Sequence, residues 1–116
     1  LARPGTKPEG EDFNMSSSEA VHVFAVLTAL PGKEADLREA LSALVTPTRA
    51  EPGNSSYMLH EDINKPGNFC FFEIYKDQAA VDFHMNSPYL AAALAKGKTW
   101  LAAPPMIVST KLIAGD

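Results

Sequence analysis

Apolar and polar positions along the chain follow two periods. Residues 21–30, VHVFAVLTAL, are almost all apolar and rich in β-branched and aromatic side chains, which predicts a central strand covered on both faces. Pro31 and Gly32 end it. From Lys33 to Thr48 the period lengthens: Leu37, Leu41, Leu44, Val45 and Thr48 share one helical stripe, with Arg38 and Glu39 pointing away, so an amphipathic helix rests on the sheet. The turn residues of EPGN, 51–54, close that connection. Residues 55–62, SSYMLHED, alternate, with Tyr57, Leu59 and Glu61 on one face and Met58 and His60 on the other. After the turn INKPGN, residues 69–75, FCFFEIY, return with Phe69, Phe71, Glu73 and Tyr75 on one face and Cys70, Phe72 and Ile74 on the other, which predicts a hairpin.

Asp77 is placed to cap a short helix, QAAVDFHMN, and Ser87 with Pro88 repeats the signal, because proline at the first helical position gives up an N–H that has no partner there. A second helix runs through YLAAALAK to a stop at Gly97, and a last strand is expected over 106–113, MIVSTKLI. The order β-α-β-β-α-β, with the second helical segment in two pieces, is the α+β ferredoxin-like pattern. It has a four-stranded antiparallel sheet with its helices on one face. The opposite sheet face is also apolar. Val21, Val23, Leu27, Cys70, Phe72 and Ile74 are expected on one parity, and Phe24, Val26, Phe69 and Phe71 on the other. An apolar face without helices marks an interface, and sheet-to-sheet homodimerisation is the simplest expectation.

Size and composition narrow the function classes. The 116 residues fit one domain, expected over 21–116, and the hydrophobic (46%) and charged (21%) fractions are near those of globular domains and do not suggest a disordered chain. Residues 1–20 have no apolar periodicity and no secretory core. They read as a flexible tail, as a remnant ahead of a start at Met15, or as an arm lying on a partner subunit. Net charge is −4 with no basic stripe, which argues against nucleic acid, and no apolar run is long enough to span a bilayer as a helix. One cysteine, Cys70, read as a buried thiol, permits no internal disulfide and fits a reducing cytoplasm.

The chain carries no glycine-rich phosphate loop, no nucleophile elbow and no dinucleotide fingerprint. Three scattered histidines make no metal site, so no metal is expected. Any chemistry must then rest on a few polar groups in an apolar pocket. Glu73 and Tyr75 point to one side of their strand, and His84 follows on the capped helix, so the three converge if that side meets the helices. A carboxylate among Phe69, Phe71 and Tyr75 must be hydrogen-bonded or hold a raised pKa, either as a pocket acid or as a structural partner of a backbone amide or of Arg49. His84 reads equally as a proton acceptor, with a reference pKa near ~6.5, and as a helix histidine bonded to a carbonyl. His60 reads as solvated and His22 as an interface residue. Tyr57, Phe83, Tyr89 and Trp100 are placed around a cavity or simply in the core.

Two segments carry a family resemblance. The stretch from Phe24 to Asp62, with PTRAEPG at the end of the first helix, and FFEIYKDQAAVDFHMNSPYLAAAL after it together resemble the antibiotic biosynthesis monooxygenase domain family of dimeric α/β barrels. The most specific part is Glu73, Tyr75, His84, Ser87, Pro88 and Tyr89, and the likeness runs from about Val21 to Ile113. The resemblance implies a homodimer and one pocket per subunit between sheet and helices. It also implies a cofactor-independent oxygenase acting on a quinol or phenolic, polycyclic aromatic substrate. In that reading His84 takes or relays the proton, Tyr75 and Tyr57 orient the hydroxyl or oxyanion, Glu73 holds them in place, and Phe71, Phe83, Tyr89 and Trp100 enclose the ring. Relatives also include an isomerase of a small phosphorylated sugar and haem-degrading enzymes. The haem branch relies on positions that correspond here to Val26, Tyr75 and about Leu94, and all three depart from it. Tyr89 stands where quinol-type relatives often carry histidine. A non-catalytic ligand-binding or structural dimer is the alternative from a different class.

Overall fold

The computed structural model describes residues 19–115; the expected tail lies almost wholly outside them. The elements are β1 (Val21–Thr28), α1 (Glu34–Ser42), α2 (Val45–Arg49), β2 (Asn54–Glu61), β3 (Asn68–Tyr75), α3 (Gln78–Met85), α4 (Pro88–Gly97), a single 3-10 turn (Lys98–Trp100) and β4 (Met106–Thr110). The four strands form one antiparallel sheet in the order β2-β3-β1-β4. This is the ferredoxin-like architecture, with β3 and β1 central and the helices on one face.

The single helix expected over 33–48 is divided. Pro47 has no N–H to give to the carbonyl of Ala43 four residues earlier, and its ring crowds that carbonyl, so the helix ends at Ser42 and resumes at Val45. The apolar stripe survives the break: Leu37, Leu41, Leu44 and Thr48 are all buried. Further on, Asp77 accepts from the Ala80 amide and Ser87 from the Leu90 amide, with Pro88 at the start of α4, so both expected caps form. The last strand stops at Thr110, short of Ile113.

Register corrects the expected grouping of faces. β1 and β3 pair Val23 with Glu73, Ala25 with Phe71 and Leu27 with Phe69, so odd positions of both strands point together toward the helices. Val23, Ala25, Leu27, Phe69, Phe71, Glu73 and Tyr75 are buried there, with Tyr57 from β2. The outer face carries Phe24, Val26, Phe72, Ile74, Met58, Met106 and Val108, and Cys70 lies on it half-buried rather than in the core. Phe24 is 47% exposed and Met106 60%, so this apolar face is uncovered in the single chain. Among the described residues no helix is long and apolar enough to cross a membrane.

Candidate active site

The site lies where β2, β3, α3 and the turn after α2 meet beneath α4. Each element contributes polar atoms to an otherwise apolar interior. β3 supplies Glu73 and Tyr75 on its helix side, and the Tyr75 hydroxyl donates to Glu73 Oε1 at 2.6 Å. Arg49, the expected partner of Glu73, instead donates to the Asn54 side chain at 2.8 Å and secures the turn into β2. Burial is the main cause that raises the Glu73 carboxyl above the usual carboxylate range, partly offset by the Tyr75 hydrogen bond. Burial, followed by the bond to Glu73, likewise drives the Tyr75 phenol well above the ordinary tyrosine value. Tyr57 is shifted in the same direction by burial and then by the Glu73 charge. Both phenols therefore keep their protons at any physiological pH, and Tyr75 donates to Glu73.

His84 is 2% exposed and its ring packs against both tyrosines, edge-on to Tyr57 with centroids 5.4 Å apart and tilted against Tyr75 at 5.5 Å. Among the described residues its ring is not bonded to a backbone carbonyl. The partner is Glu51: its Oε2 lies 2.9 Å from His84 Nδ1, and both side chains are 3% exposed. The same oxygen accepts the Tyr89 hydroxyl, and burial with this bond raises the Tyr89 phenol. EPGN is legible as a turn and, within PTRAEPG, as part of the family resemblance; no local signal connects Glu51 with a histidine thirty-three positions away. Two buried polar atoms, Thr48 Oγ1 and Glu51 Oε1, have no partner among the described residues.

Beside this cluster is a partly open cavity of about 50 Å³, with Tyr57, Glu73 and His84 on its polar side and Phe71, Val23, Leu41 and Leu90 among its apolar walls. Met85, Leu94, Pro105 and Ile107 also line it, and Met85, Leu94 and Ile107 are partly open to solvent at 37–47%. Of the predicted residues the structure gathers Glu73, His84, Tyr57 and Phe71 on this wall, with Tyr75 fully buried behind Glu73. Tyr89 reaches the site only through Glu51. Phe83 is 59% exposed beside a separate cleft, and Trp100 packs on the main core. No group of three or more potential metal ligands exists among the described residues.

Comparison with known proteins places the chain in a family. The antibiotic biosynthesis monooxygenase family matches residues 20–96. A Bacillus subtilis protein named "Putative monooxygenase YcnE" is 35% identical over 88 residues, covering 76% of this chain and 93% of its own length. A Mycobacterium tuberculosis protein named "Putative monooxygenase Rv0793" is 41% identical over 69 residues, 60% of this chain and 67% of that protein. The solved structure of Rv0793 superposes with a TM-score of 0.79 at 32% identity, covering 84% of this chain and 98% of its own. That of PA3566 from Pseudomonas aeruginosa does so with 0.79 at 31% and the same coverage. With its ferredoxin-like sheet and its helix-covered pocket, the chain belongs to the antibiotic biosynthesis monooxygenase family.

Proposed function

We propose that the domain is a monooxygenase that oxidises a phenolic or quinol-type aromatic substrate with O₂, working as a sheet-to-sheet homodimer. The observation that carries this reading is His84, backed by a buried carboxylate, on the wall of an apolar cavity whose other polar groups are Tyr57 and Glu73. In the first step His84 takes the phenolic proton, and Tyr57, a phenol that stays protonated, donates to the oxygen as charge develops on it. The electron-rich anion then passes an electron to O₂, and the radical pair recombines as a carbon-bound peroxide, which takes up the proton held by His84 and loses water as its O–O bond breaks, leaving one oxygen on the oxidised ring. The electrons come from the substrate. Apolar walls limit the water around the intermediates.

The wall also bears on substrate class. Among the described residues no lysine or arginine lines the cavity, while Glu73 does. A phosphorylated sugar would meet a carboxylate and no cation, which disfavours the isomerase reading. A space of 50 Å³ holds a few waters, whereas a cavity that admits benzene is about 150 Å³. A ring therefore enters by displacing the partly exposed side chains of Met85, Leu94 and Ile107. The small resting cavity favours a second reading, a dimeric module that binds a small ligand without turnover.

Oxygen uptake with a panel of hydroquinones, together with mass spectrometry of the purified protein for a retained ligand, separates the two readings. A substrate that turns over should lose ~10²-fold or more of its rate in His84→Ala if His84 is the general base. An unchanged rate on a verified substrate removes His84 from the mechanism, and tight retention without uptake supports the module.

A further inference from the structure

We infer that Glu51 is a positioning residue that holds the His84 imidazole with its proton on Nδ1, so that Nε2 turns an unprotonated lone pair toward the cavity. This rests on the reading of His84 as the base, and it adds a residue to the site that lies in a turn rather than on the cavity wall. The 2.9 Å contact joins two side chains that are each 3% exposed, so water does not compete for it. A carboxylate oxygen only accepts, and Nδ1 must donate to it. Nε2 makes no hydrogen bond among the described residues, and the ring forms part of the cavity wall.

Glu51 is itself held from three sides. Its amide donates to the Thr48 carbonyl at 3.0 Å, its carbonyl accepts the Asn54 amide at 3.1 Å, and its Oε2 accepts the Tyr89 hydroxyl from α4. The His84 end is held as well, because the Ser87 hydroxyl donates to the His84 carbonyl at 2.7 Å at the junction of α3 and α4. The imidazole therefore has little freedom to change its tautomer or to swing.

Charge gives the arrangement its use. Arg49, two residues before Glu51, donates to Asn54, and Glu51 Oε1 is buried without a partner among the described residues. A buried carboxylate with unused acceptor capacity is costly for a fold to keep. It becomes favourable when His84 takes a proton: the substrate O–H bond breaks, an N–H bond forms on Nε2, the electron pair stays on the substrate oxygen, and the resulting imidazolium lies against Glu51.

The test uses the intact chain labelled with ¹⁵N. Long-range imidazole correlations at alkaline pH, assigned to His84 by their loss in His84→Gln, should show Nδ1 protonated and Nε2 bare. In Glu51→Leu the ring should revert to the Nε2-protonated form that an unpartnered imidazole prefers, while Tyr89→Phe should leave the wild-type pattern in place. An Nε2-protonated His84 in the wild type, or an unchanged pattern in Glu51→Leu, overturns the inference. If Glu51→Leu does not fold, the wild-type spectrum alone decides. With naphthohydroquinone as the activity probe, Glu51→Gln should lower kcat at least tenfold while KM changes less than twofold; an unaltered kcat refutes the charge argument. A bare Nε2 together with full activity in His84→Ala would reject His84 as the base and leave the placement by Glu51 standing.

Discussion

Gly53 offers a direct way to disturb the Glu51–His84 pair without touching either residue. It lies in the turn that carries Glu51, and a Cβ built there would sit 2.4 Å from the Cβ of Ala80 on α3, where ordinary contact begins at 3.4 Å. Gly53→Ala must therefore push the turn and α3 apart by about 1 Å. Ala80 has no flexible side chain to fold away, and the Gly53 carbonyl is held by the Lys76 amide at 2.9 Å, so the movement falls on α3. Overpacking of this kind costs about 1–3 kcal/mol, which in a domain of this size lowers Tm by roughly 5–20 °C. His84 is four residues further along α3 and moves with it, away from Glu51, and a displacement of ~1 Å in a catalytic group costs on the order of 10²-fold in rate. Thermal unfolding followed by circular dichroism, with oxygen uptake on a verified substrate, measures both effects. A Gly53→Ala protein with wild-type Tm and wild-type turnover would refute the reasoning that close approach of α3 to this turn sets the geometry.

Two other substitutions test the electrostatics and the interface. Because burial raises the Glu73 carboxyl above its unfolded value, the native state binds more protons than the unfolded chain between those two values. Its contribution to stability is complete at acid pH and is lost as pH rises through the folded value. Glu73→Gln keeps an acceptor for Tyr75 and removes that dependence, so its Tm should exceed the wild type's near pH 8 with a gap that closes toward pH 4. A gap that does not change with pH would contradict the sign. Phe24 is 47% exposed on the outer sheet face. Covering that half of a ring of about 200 Å² removes roughly 90 Å² from water in each protomer, or about 4–5 kcal/mol across a two-fold interface. Phe24→Asp should therefore raise the dimer Kd by at least ~10³-fold, read by sedimentation equilibrium. A monomeric wild type at micromolar concentration would reject the interface itself.

The sequence by itself determined the element order, the two caps at Asp77 and Ser87, and the faces of β2 and β3, because these depend on local periodicity and on side chains that bond to backbone a few residues away. It also brought Glu73, Tyr75 and His84 together, since strand, cap and helix follow one another without interruption. The apolar stripe of the first helix runs through the break at Pro47 and so does not reveal it. Tertiary structure alone decided the pairing of β1 with β3, which sets odd positions against odd and assigns Phe24 to the outer face while Val23 turns inward. It alone found Glu51. A charged residue in a Pro-Gly turn carries no local mark of burial. Its partners, His84 and Tyr89, come from helices thirty-three and thirty-eight positions away. Hydrogen bonds of that separation are set by how the helices dock on the sheet, and docking follows from burial of apolar area, which has no direction along the chain. For the same reason the sequence grouped Phe83 and Trp100 with the cavity residues, and the packing put Phe83 in solvent and Trp100 on the core.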